Sequence, residues 1–181
     1  NTGEQEMGWF AKANGNKKSC TGKPKKMGGI PHELGSTGFG VAHSAIVALK
    51  HMRKNVKNIS FAIEGFGNVG TFAAKFLTEK GAILKAVSDS KGCIFIDKGI
   101  DYERLMRIKE ETGSVINYGG KKETCRNIIQ ARVDVLITAA IPDVIKVGNI
   151  GSVKAKLIVE GSNIPMTEQV EELFHRKKIL V

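Results

Sequence analysis

The chain has little of the chemistry that staples or metallates a small protein. Its three cysteines, Cys20, Cys93 and Cys125, stand far apart and form no C-x-x-C pair, and its four histidines, His32, His43, His51 and His175, show no ligand spacing with them. No metal site and no disulfide framework is therefore expected, and a reducing, cytoplasmic setting fits best. No apolar run approaches the ~20 residues that a membrane-crossing helix needs. The start carries no basic, apolar and small-residue sequence of a secretory signal. It is Asn1 rather than Met, which reads as an excised or trimmed piece. Acidic residues are outnumbered, 18 against 28 Lys and Arg, for a net charge of +10. The cations are scattered, however. Only residues 12–26 (Lys12, Lys17, Lys18, Lys23, Lys25, Lys26) form a cluster, and no aromatic residue interleaves there to stack a base. The charge reads as a solvated surface, with steering of anions as the alternative, and with neither nucleic acid nor membrane as partner.

What is present is a core. At 181 residues and 41% hydrophobic the chain can bury one domain, with room for an appendage. Residues 4–13 read as a short amphipathic helix carrying the only tryptophan, Trp9, and residues 14–31 as a Gly-, Lys- and Pro-rich loop. The run from Ser36 to Lys54 has a polar start, an apolar middle and a basic end, as a helix matched to its dipole should. A strand over Ile59–Glu64, a helix from about Asn68 to Lys80 and a second strand ending at Asp89 follow. Residues 92–99 suggest a short hairpin-like piece, and 101–113 a helix bounded by Asp101 and Gly113. A short helix is expected within Lys122–Arg132 and strands within 133–140 and 155–163. A last helix follows, with Thr167 paired loosely to Glu171 or Glu172 as a cap, and residues 179–181 begin a final strand. Strand and helix alternate, and the apolar runs are continuous. This predicts an α/β, Rossmann-type doubly wound, mostly parallel sheet with helices on both faces.

Residues 65–70, G-F-G-N-V-G, follow the first strand and open the helix, and an acid, Asp89, stands about 20 positions on at the end of the next strand. That context turns a weak hexapeptide into a dinucleotide-binding fingerprint. Gly65 permits the turn out of the strand, Gly67 clears space for a diphosphate, and Gly70 lets helix and strand pack closely. Phe66, Asn68 and Val69 complete the turn, and the first N–H groups of the helix face the phosphates. A glycine-lined turn with no ligand is the plain alternative. Asp89 would accept from the adenosine ribose and disfavour a 2'-phosphate, or serve only as a turn residue. Ser88, Ser90 and Lys91 around it can hold that phosphate, so the cofactor is NAD or NADP, leaning to NAD.

The motifs IEGFGNVG, AVSDSKGCIF, KEETGSV, VDVLITAA and AKLIVEGSN-P, in this order, resemble the glutamate dehydrogenases of the glutamate/leucine/phenylalanine/valine dehydrogenase group, over essentially the whole chain. The resemblance implies a cofactor domain over residues 36–181, preceded at 1–35 by a lead-in helix and linker from an absent substrate domain. It places Thr37 near the nicotinamide and its ribose, the pair Ala139 and Ala140 where the ribose passes, and Asn163 on the nicotinamide side. Their plain alternatives are a helix cap, close helix packing and an Asx turn. Two departures stand out: His32 and Glu33 where the group has a glycine and an arginine, and GSNIPMT for the commoner GANGPTT.

By the same resemblance, the intact enzyme passes the α-hydrogen of glutamate to NAD(P) as hydride, and the imine hydrolyses to 2-oxoglutarate and ammonia. The domains would close about a hinge near residues 1–3. The catalytic lysines and aspartate belong to the absent domain, so no catalytic residue is assigned here and this piece alone should not turn over. A homo-hexamer is implied for the whole enzyme and a monomer for the piece. Two other readings stay open: another amino-acid substrate within the group (leucine, phenylalanine or valine), and a non-catalytic NAD(P)-sensing module.

Overall fold

The computed structural model describes residues 3–30 and 35–181, so the unusual His32 and Glu33 lie outside it. Two compact units separate, residues 1–36 and 37–181. In the first, α1 (Glu4–Ala13) is closed at its start by the Glu6 carboxylate, which accepts from the Gly3 N–H at 2.7 Å. The following loop crosses α1 at Gly8, where a Cβ would come within 3.2 Å of Pro24. Trp9 and Phe10 remain exposed on this helix, and the lysines at 12, 17, 18, 25 and 26 face solvent.

The second unit is a six-stranded sheet in the order β4-β3-β2-β1-β5-β6. Its strands are β1 (Ser60–Glu64), β2 (Ile83–Asp89), β3 (Gly92–Phe95), β4 (Lys121–Glu123), β5 (Val135–Thr138) and β6 (Leu157–Glu160). The four strands β2, β1, β5 and β6 run parallel, while β3 and β4 add antiparallel beyond β2. One face buries Phe61, Ile63, Leu84, Val87, Val135 and Ile137. They pack beneath α2 (Ser36–His51), α3 (Asn68–Glu79) and α4 (Tyr102–Thr112). The other face carries smaller strand residues, Ala62 and Ala86, with Leu136 and Ile158. It is covered by Ile128 and Ile129 of a 3-10 segment, by the 145–155 loop, and by Val170 and Phe174 of α5 (Glu168–Arg176). Each large side chain so buried contributes about 1.5–3 kcal/mol. The sheet is covered on both sides, as the continuous apolar runs required.

Three expectations need correction. The helix expected within 122–132 is a short edge strand, β4, followed by a 3-10 segment, Cys125–Gln130. Residues 121–123 gain more by pairing with β3 than a lone turn of helix would offer. Thr167 stands at the N-cap of α5 but its side chain makes no capping hydrogen bond. The final strand is a single bridge, Leu157 to Leu180.

Candidate functional site

The order of the parallel strands reverses at β1: the chain crosses from β1 to β2 on one side and reaches β5 on the other. Ligands of open parallel sheets bind at the carboxyl ends of the strands flanking such a reversal. The glycine turn lies there. Gly65 adopts φ +91°, which a side chain disfavours, and its N–H donates to the Ser88 hydroxyl at 3.1 Å while the Phe66 N–H donates to the Ser88 carbonyl at 2.8 Å. A Cβ on Gly70 would overlap the Gly65 carbonyl oxygen and lie 2.9 Å from Ile63. Gly67, the N-cap of α3, differs: its φ of −89° suits any residue and a Cβ there would meet nothing within 4 Å.

Beside the turn is a cleft of ≈ 330 Å³ whose lining includes Gly65, Gly67, Asp89, Lys109, Cys125 and Ile141. A larger open concavity of ≈ 520 Å³, between α3 and the start of α4, lies at the amino end of β2, away from the reversal. Asp89 ends β2. Ser90 and Lys91 form the two-residue turn into β3. The Asp89 carboxylate accepts from Lys91 N (2.9 Å), Ser114 Oγ (2.8 Å) and Val115 N (2.7 Å). Burial pushes Asp89 upward, but the Val115 and Lys91 N–H groups, the Ser114 hydroxyl and Lys109 outweigh it and leave the carboxyl below its ordinary value. Lys109 reaches back from α4 so that its Nζ donates to the Phe66 carbonyl and lies 5.1 Å from the Phe66 ring centroid. Burial draws Lys109 below its ordinary value, with Asp89 pulling the other way.

Glu64, Ser88, Ser114 and Thr138 are the buried polar side chains among the described residues, and all belong to this end of the sheet. Glu64 Oε2 accepts from the N–H groups of Ala139 (3.1 Å) and Ala140 (3.0 Å). The loop after β5 is thereby held against the glycine turn. Thr138, the register partner of Glu64, has a fully buried hydroxyl with no hydrogen-bond partner among the described residues. Thr37 sits exposed in the first turn of α2; its neighbour Gly38 packs so tightly on α3 that a Cβ would lie 2.5 Å from Phe72 Cβ. Val69 lies where α3 meets Gly161, just beyond β6. Asn163 is exposed, two residues further along, and makes no side-chain hydrogen bond among the described residues. The structure thus gathers the glycine turn, Asp89, Ser90, Lys91, Ala139, Ala140 and Asn163 at the carboxyl edge. Glu64, Lys109, Cys125 and Ile141 were not evident in the sequence, and Ser88, expected beside Asp89 as a phosphate ligand, is instead buried with its hydroxyl accepting from the Gly65 N–H. A lone acid closing an apolar strand was the signal for Glu64; Lys109 had none.

The sequence model of the Glutamate/Leucine/Phenylalanine/Valine dehydrogenase group matches residues 28–181. The chain belongs to this family. It is 42% identical to the glutamate dehydrogenase of Aeropyrum pernix, covering 99% of this chain and 45% of that one. It is 43% identical to the NADP-specific glutamate dehydrogenase of Saccharolobus shibatae, over 100% of this chain and 44% of that one. Among solved structures, glutamate dehydrogenase from Peptoniphilus asaccharolyticus matches with a TM-score of 0.74 at 28% identity, over 100% of this chain and 44% of that one. The hetero-hexameric enzyme of Thermus thermophilus shares the fold, at 0.81 and 22%, over 99% and 44%. The chain spans less than half the length of these dehydrogenases. Against the family's commoner GANGPTT, this member places Ile164 where a glycine is usual, and the backbone there keeps a left-handed φ of +50° with the side chain 70% exposed. A β-branched residue pays steric strain in that conformation.

Proposed function

We propose that this chain is the dinucleotide-binding part of an amino-acid dehydrogenase acting on L-glutamate, in the cytoplasm, with the diphosphate of NAD(P) at the Gly65–Gly70 turn. One observation carries the reading. The protein's own packing demands glycine at 65 and 70, but neither backbone angle nor packing demands it at 67. Serine, asparagine or aspartate would cap α3 better. The bare position leaves room for something outside the chain.

The remaining groups suit a dinucleotide. Backbone N–H groups at the start of a 12-residue helix favour anions. Lys109 adds a cation at the cleft. Asp89, anionic and already bonded by three protein donors, opposes a 2'-phosphate and favours NAD; Ser90, Lys91 and Lys109 temper that preference. Thr37, Ala139, Ala140 and Asn163 take the ribose and nicotinamide end. When bound, NAD(P) supplies the hydride acceptor. This chain's part is to bind and orient it; the groups that take the substrate's proton and hold its carboxylate are proposed to lie in the rest of a longer, hexameric enzyme.

Calorimetric titration with NADH and NADPH in parallel tests the reading. Micromolar-to-millimolar binding of at least one is expected, and no heat from either with folded protein would refute it.

A further inference from the structure

Glu64 places a charge where an anion's site has no use for one. It closes β1 at 5% exposure, and no other buried side chain among the described residues is an acid or a base of the usual charged kinds. It lines the same cleft as Gly65, Gly67 and Lys109, yet the ion pairs among the described residues are Lys54–Asp134, Lys121–Glu123 and Arg176–Glu172; Glu64 is in none. Its hydrogen bonds to Ala139 and Ala140 ask only for an acceptor. A glutamine oxygen of the same reach would serve. What the acid adds is a charge that can be removed.

We propose that Glu64 sets dinucleotide affinity through its charge, opposing the diphosphate when ionised and admitting it when protonated. The inference rests on the cofactor reading above. Burial raises the Glu64 carboxyl, and the N–H groups of Ala140, Ala139 and Ile141 only partly restrain it. As pH falls through that raised value the charge is lost, so affinity rises toward acid. The other ionisable groups lining the cleft are Asp89 from β2, Lys109 from α4 and the Cys125 thiol from the 3-10 segment. The loop after β5 presents backbone N–H groups, with Asp143 exposed further along it. Asp89 sits below its ordinary range and so titrates at more acid pH than Glu64. All of these are common to wild type and Glu64→Gln, so the difference between the two pH profiles isolates Glu64.

The test is the dissociation constant of NADH between pH 5 and pH 8 for both proteins. Glu64→Gln should bind about 5- to 10-fold more tightly than wild type at pH 8, and the gap should narrow as pH falls. Equal constants with equal pH slopes would overturn the charge gate while leaving the cofactor reading intact. No binding of NADH or NADPH by folded wild type would overturn both. A second measurement needs no variant: the carbon NMR titration of Glu64 in wild type should move to higher pH on saturation with NADH, because coupling is reciprocal. An unmoved or lowered midpoint would overturn the proposal.

Discussion

Gly65 and Ala140 meet at the strand reversal so closely that a methyl group on Gly65 would overlap that of Ala140 and lie 2.9 Å from its backbone nitrogen. The turn also holds φ +91° there. Gly65→Ala should therefore destabilise the protein by about 2–4 kcal/mol, strain and overpacking combined. Thermal or denaturant unfolding reads this directly, and a loss below about 1 kcal/mol would show that the loop after β5 moves aside easily.

Gly67→Val should largely spare stability. Open space around the Cβ leaves the melting temperature within a few degrees of wild type, with at most about 1 kcal/mol for a poorer N-cap. Affinity for the dinucleotide should fall at least about tenfold, and Gly67→Ala should lie between. Unchanged affinity in the valine variant would mean that the phosphates are elsewhere.

Asp89→Ala should shift preference toward NADPH, since a charge opposing the 2'-phosphate is gone. It should also lower stability by about 1–3 kcal/mol, because the Ser114 hydroxyl and Val115 N–H lose their acceptor. Equal weakening of NADH and NADPH in parallel titrations would argue that the carboxylate only shapes the turn.

Ile164→Gly should stabilise the protein. Relief of the left-handed strain is worth about 1–2 kcal/mol, and the added freedom of glycine in the unfolded chain returns about 0.5–1, leaving a gain of about 0.5–1 kcal/mol. A destabilised variant would show that the Ile164 side chain packs more than its exposure suggests.

Asp134 ties the starts of β1 and β5 together. Its carboxylate accepts from the Ser60 N–H (3.0 Å) and hydroxyl (2.8 Å) and pairs with Lys54 at 3.0 Å. Burial pushes it up, but the Ser60 and Lys54 donors win and hold it at about 2. A depressed carboxyl stabilises the fold above its unfolded value, near 3.8, and that contribution fades as pH falls toward 2. Stability should drop across this window in wild type and be flatter in Asp134→Asn. Parallel curves would assign the acid sensitivity elsewhere.

The parallel core was legible because buried strands leave continuous apolar runs and because helix caps such as Asp101 and Gly113 act locally; α4 is capped by those two residues. The glycine turn was legible because its spacing is itself a backbone requirement. The edge was not. Whether residues 121–123 become strand or helix depends on β3, a partner about 28 residues away whose exposed edge no local pattern reveals.

Local chemistry in the sequence determined the alternation of elements, the turn at residues 65–70 and the acid that ends β2, since each depends on neighbours within a few positions. Only the tertiary structure decided that Lys109, 43 residues on, bonds the Phe66 carbonyl, that Glu64 grips Ala139 and Ala140, and that Gly67 alone among the three glycines faces open space. These features depend on segments far apart in the chain that meet at the carboxyl edge only once the sheet and its covering helices have assembled.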